Sequence, residues 1–227
     1  MDETPPSPWA EAQAREPAFN APWTILALCG GLVALYAVQS WVAPPEVWAQ
    51  GYGVTPTALA GGRWQVLLTS LFLHGSWTHV VMNSVAALAF GPPVARLMGT
   101  GPRGAASFFG FYLVCGAISG LGFVLASPGD VAPVVGASGA ISGLMGAASR
   151  LIQGRGHVGS LTGSTVLGMA GVWVVINVVL GLSGLTPGAA GMPVAWQAHI
   201  AGYAAGLLLI GPFARLAGQT AQISITQ

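Results

Sequence analysis

Long apolar stretches separated by short Gly/Pro punctuation dominate this chain. Uncharged windows run over Pro17–Pro45, Gln65–Ala95, Gly104–Gly129 and Val131–Ser149, and no Asp, Glu, Lys or Arg falls between Arg155 and Arg215. About 20 apolar residues cross a bilayer as a helix, so the pattern predicts six: roughly 23–43, 77–95, 104–126, 134–151, 165–183 and 196–214. Breaks are expected at Gly91-Pro92-Pro93, Gly101-Pro102, Ser127-Pro128-Gly129 and Thr186-Pro187-Gly188. A transmembrane barrel would alternate with period 2 and turn far more often. The pattern therefore describes an all-α membrane protein, a six-helix membrane domain over 23–216 with tails at 1–22 and 217–227.

Composition supports this reading. The chain has 227 residues, 53% of them hydrophobic, and only 6% are charged. A soluble domain carries about 25% charged residues, and a surface so poor in charge would aggregate in water. Disorder throughout would need low hydrophobicity and high charge. A net charge of +1 offers no basic surface to nucleic acid.

The position of the few charges gives an orientation. With six helices, Arg15, Arg96, Arg103, Arg150, Arg155 and Arg215 fall on one side and only Arg63 opposite. The positive-inside rule then places both termini in the cytoplasm. The acidic, proline-containing segment 1–22 reads as a short disordered cytoplasmic tail, not a signal peptide, since it lacks a basic start. A long outer loop at 44–76 holds Trp48, Tyr52 and Trp64, then an apolar stretch Gln65–Leu73 too short to span, which suits an interfacial or re-entrant segment. Trp23, Trp41, Trp77 and Trp196 sit near helix ends, as an aromatic belt requires. The lysine-free, Ala/Gly-rich composition suggests a GC-rich bacterium and hence its inner membrane.

Polar groups within membrane spans are costly and call for a reason. Topology sets His79 and Asn83 (second helix), Ser138 (fourth) and His199 (sixth) at one depth, just inside the outer boundary. Each has an ordinary alternative. A helix serine commonly back-bonds to the preceding turn, His79 with Asn83 can clamp two helices, and His199 can be a packing histidine. Together they supply a nucleophile, a base and side-chain donors, the minimal set for acyl transfer. Outside the first tail the only carboxylates are Glu46 and Asp130, both in outer loops. No acid lies within a span, so the chemistry would run on a Ser138–His199 dyad, with Asp130 the one loop-borne candidate for a third member.

The glycines give that dyad a packing rationale. Gly139, Gly143 and Gly146 beside Ser138, and Gly202 and Gly206 beside His199, form two smooth stripes whose apposition would bring imidazole to hydroxyl. His199 would take the Ser138 proton, and the oxyanion would be met by the Ser138 backbone N–H, Asn83 and His79. Gly116/Gly120 have the same spacing on the third helix. Cys29 and Cys115 read as small buried hydrophobes. No cofactor is implied, and no acid or thiolate joins His74 and His79 into a metal site.

Three segments resemble the rhomboid family of intramembrane serine proteases. His74-Gly75-Ser76-Trp77-Thr78-His79-Val80-Val81-Met82-Asn83 fits the family's His-x4-His-x3-Asn pattern. Gly136-Ala137-Ser138-Gly139 is similar to its GxSG nucleophile motif, and Ala198-His199 with Gly202 and Gly206 to its AHxxGxxxG helix. The resemblance covers about 48–215, with the motifs in family order on the second, fourth and sixth helices. It implies a rhomboid-like bundle, Ser138 as nucleophile, His199 as general base, and an oxyanion hole of His79, Asn83 and the Ser138 N–H. It also implies that the fifth helix and the loop at 184–195 gate and cap the site. Implied substrates are transmembrane segments of other proteins, cut near their outer end, with His79, Asn83, Ser142 and Gln197 lining a water path from the bilayer surface. The chain departs from the pattern twice. Val66 stands where many members have an arginine of a Trp-Arg pair, with Arg63 before Trp64 instead. Ser142 stands where an aromatic often stacks on the histidine.

A rhomboid-like binding protein that holds membrane helices without cutting them is the alternative, though such proteins typically lack the serine or histidine. A small channel or transporter would call for intramembrane charges or inverted repeats, and neither is evident.

Overall fold

The computed structural model describes residues 21–184 and 194–219. Residues 1–20 of the proposed tail, most of the capping loop with Thr186-Pro187-Gly188, and the end of the chain lie outside the described residues. Six long helices dominate the rest: α1 (Trp23–Val42), α2 (Trp77–Met98), α3 (Pro102–Ala126), α4 (Ser138–Gln153), α5 (Ser164–Ser183) and α6 (Trp196–Leu216). Five of them, α4 excepted, are long and apolar enough to cross a membrane. The chain is an integral membrane protein.

α4 is different because of where it sits. Its 16 residues extend only about 24 Å at 1.5 Å per residue, and it packs against α2, α3, α5 and α6. Of all the helix pairs, the α4–α6 seam is the most extensive and α3–α6 the next. Small residues make the crowding possible: Gly139, Ala140, Gly143, Gly146, Ala147 and Ala148 are all buried.

Two expected boundaries change. α2 does not break at Gly91-Pro92-Pro93 but continues to Met98, where Gly99 ends it at φ 87°. Prolines are tolerated within membrane helices because neighbouring groups re-satisfy the freed carbonyls. The fourth helix begins at Ser138 and not at 134. The preceding residues are extended, with Val54 and Val134 exchanging two backbone hydrogen bonds of 2.9 Å, and Gly136 takes φ 123°.

The segment between α1 and α2 folds into short helical pieces, Pro45–Tyr52, Pro56–Ala60 and Val66–Thr69, then a 3-10 turn at Ser70–Phe72. Leu67 and Leu71 lie against Gly120 and Gly116 of α3. That glycine pair therefore receives leucines from the loop and not a second helix. Val66, at the position of the missing arginine, is fully buried in an apolar cluster with Val54, Leu59 and Phe123. Arg63 instead donates to the Gly51 carbonyl at 3.1 Å. At this position the loop is held by apolar burial, and Arg63 is tied to a backbone carbonyl.

Candidate active site

Ser138 is the first residue of α4, so its N–H belongs to a helix end that has no intrahelical acceptors. The turn before it needs glycine. At φ 123° an L side chain is strained, and a Cβ on Gly136 would lie 2.7 Å from the His79 ring. The Gly136 N–H donates to the Ser70 carbonyl at 2.9 Å, tying the turn to the loop before α2.

His199 reaches Ser138 because two backbones touch. A Cβ on Gly202 would collide with the Gly139 carbonyl, and one on Gly206 with the Gly143 carbonyl. Gly146 makes the reciprocal approach to the Tyr203 carbonyl. The other side of α4 is equally close. Cys115 packs on Gly143, and Ser119 packs on Gly139 while its hydroxyl donates to the Ala198 carbonyl at 2.8 Å. With both helices locked at this separation, His199 Nε2 lies 2.7 Å from Ser138 Oγ.

Four residues singled out in the sequence, Ser138, His199, His79 and Asn83, line one cavity of about 380 Å³. Asn83 is buried and its Nδ2 finds no acceptor among the described residues. The Ser76 hydroxyl caps α2 by accepting from the His79 N–H at 3.1 Å, and His79 Nδ1 faces the Gly75 N–H at 3.5 Å. Behind His79 stands His74, its ring edge-on at 5.0 Å and fully buried. Burial, with His79 nearby, pushes the His74 imidazole down to about 3, so it stays neutral at physiological pH. Its backbone is paired twice with the Gln39 amide, at 2.7 and 3.1 Å, which fixes the loop to α1.

Two expectations need correction. Ser142 does not line the cavity: it is buried, and its hydroxyl back-bonds to the Ser138 carbonyl at 2.8 Å. Gln197 does line it, and donates to Ser127 Oγ at 2.9 Å. Asp130 also reaches the cavity, yet its carboxylate caps the Ala132 N–H at 2.9 Å and the far nitrogen of His199 is engaged elsewhere. That partner is Asn177 on α5, whose Oδ1 is 2.7 Å from His199 Nδ1. Trp173, one turn earlier, sets its ring 6.2 Å from the imidazole and stacks on Tyr203. The sequence reading passed over both. Asn177 is the only carboxamide in the charge-free 164–183 stretch, and an intramembrane amide was the signal that pointed to it.

A helical membrane protein whose central short helix presents a serine to a histidine across a glycine seam defines a narrow class. The Rhomboid domain family matches residues 61–215, and the chain belongs to the rhomboid family. It is similar to the "Putative rhomboid protease YdcA" of Bacillus subtilis, 38% identical over 88 residues, which is 39% of this chain and 41% of that protein. It is also similar to the "Rhomboid protease GluP" of the same organism, 36% identical over 89 residues, or 39% of this chain and 16% of that one. The similarity thus spans less than half of either relative.

Proposed function

We propose that this chain is an intramembrane serine endopeptidase working through a Ser138–His199 dyad. The observation that carries the reading is the 2.7 Å contact between Ser138 Oγ and His199 Nε2, set by backbone packing at the edge of a cavity. Ser138 Oγ attacks the scissile carbonyl carbon while its proton passes to Nε2. The new oxyanion is met by the Ser138 N–H, by Asn83 Nδ2 and by the His79 ring. His199 then protonates the leaving amine, and water releases the acyl group by the same route in reverse.

In this reading all six long helices cross the membrane, both termini are cytoplasmic, and α2, α4 and α6 begin at the outer face. Substrates are transmembrane segments of other membrane proteins, unwound and cut near their outer end. The bacterial relatives favour a bacterial cell membrane.

A fluorophosphonate probe applied to the protein in liposomes tests this directly. It should label the native chain and leave Ser138→Ala unlabelled, and Ser138→Ala and His199→Ala should each lose cleavage of a single-span reporter. Equal labelling or cleavage by Ser138→Ala would overturn the dyad.

A further inference from the structure

We infer that Asn177 is a positioning residue for the base. From α5 it fixes the tautomer and aim of His199, so the base of the Ser138–His199 dyad is held from behind by a neutral amide. The inference rests on the serine-protease reading and deepens it.

Hydrogen-bond direction settles the chemistry. Asn177 Nδ2 donates to the Trp173 carbonyl one turn back, at 2.9 Å. That leaves Oδ1 facing His199 Nδ1 at 2.7 Å. The reversed amide would set Oδ1 against the Trp173 carbonyl, two acceptors with no proton between them. An amide oxygen only accepts, so Nδ1 carries the hydrogen. In the neutral ring Nε2 is then bare, and it can only accept from the Ser138 hydroxyl 2.7 Å away. This is the tautomer that a general base needs. When Nε2 takes the serine proton, the Nδ1 proton stays in place, held by the Oδ1 dipole, and Asn177 itself neither gains nor loses a proton.

The placement is hard to explain as packing. Val166 and Asn177 are the buried residues of α5, and Val172, Val174, Val175, Ile176 and Val179 are exposed. A lipid-facing helix thus turns its one carboxamide inward, onto the far nitrogen of the base. A carboxylate here would have to be buried in the membrane as a charge, which an amide avoids. Amides do serve as the third member in Cys-His-Asn proteases. The Trp173 ring beside the imidazole adds a wall from the same helix, in a chain that has Ser142 where the family often carries an aromatic.

Two measurements on the full chain in detergent or liposomes decide the matter. The first is the ¹⁵N spectrum of histidine-labelled protein, with His199→Gln used to assign the resonance. Native neutral His199 should show a protonated Nδ1 and a bare Nε2, and Asn177→Leu should lose that single tautomer. A native ring protonated at Nε2, or a spectrum unchanged by Asn177→Leu, would overturn the inference. The second is the kinetic split on a single-span reporter. Asn177→Leu should lower kcat by about 10- to 100-fold, as expected when a base loses its orienting partner, with KM within about twofold. A kcat for Asn177→Leu within twofold of native would overturn it. If the native chain neither cleaves nor takes a fluorophosphonate, the protease reading falls, and the native tautomer alone decides whether Asn177 orients the ring.

Discussion

The α4–α6 seam and α5 meet the same histidine in opposite ways. Along the seam, Gly139, Gly143 and Gly146 of α4 face Gly202 and Gly206 of α6 with no side chain between the backbones. Helices in lipid gain nothing hydrophobic by touching each other, so close van der Waals approach must supply the adhesion. Here that approach also fixes the Ser138–His199 distance. α5 turns a run of valines outward and meets His199 through Asn177 and Trp173. One element sets a distance through its whole length, and the other sets an orientation through a single polar contact. Their tolerance to one added methyl group should therefore differ sharply.

The largest effect is expected at the seam. In Gly206→Ala the new Cβ would lie 2.7 Å from Gly143 Cα and nearer still to its carbonyl, with backbone and no yielding side chain opposite. Overpacking of this kind costs about 1–3 kcal/mol, and a shift of about 1 Å between reacting groups can cost about 100-fold in rate. Thermal unfolding in detergent should show a lowered midpoint, and cleavage of a single-span reporter should fall at least tenfold. A Gly206→Ala protein with native midpoint and native rate would mean the seam does not set the geometry.

An intermediate effect belongs to Gly136→Ala, in the turn that delivers Ser138. Alanine at φ 123° is strained by about 1–3 kcal/mol, and its methyl would press on His79 at 2.7 Å. Only one turn is affected, so the fold should survive while the His79 side of the cavity is displaced. Reporter cleavage should drop more than tenfold with a smaller loss of thermal midpoint than for Gly206→Ala. The reverse ranking would place the structural weight on the turn and not on the seam.

These residues also show what a sequence can disclose. The helices were readable because charge-free windows of span length are a one-dimensional signal, and the seam because glycines three and four apart mark one helix face. The shared cavity of Ser138, His199, His79 and Asn83 followed from topology, which aligns ends without any contact being known. What stayed hidden depends on three-dimensional choice. Gly116 and Gly120 have helix-packing spacing yet receive Leu71 and Leu67 from a loop. Pro92 and Pro93 look like a stop but ride inside α2. Ser142 lies one turn from Ser138 but points its hydroxyl back into its own helix. Asn177 was visible as a polar residue among valines, but its partner sits 22 residues away on a helix whose rotation no periodicity fixed.

The smallest effect tests the comparison from the other side. Gly171 lies on the exposed face of α5, six residues before Asn177, and a Cβ there would meet nothing within 4 Å. Gly171→Ala removes a residue that weakens helices by about 1 kcal/mol relative to alanine and adds no clash. The thermal midpoint should stay level or rise slightly, and cleavage should remain within twofold of native, because neither the rotation of α5 nor the Asn177 contact changes. The same methyl group that is disruptive at Gly206 would then be neutral here, which isolates backbone contact as the cause. A destabilised Gly171→Ala would show that the outward face of α5 is covered in the membrane, and α5 would have to be counted with the packed elements.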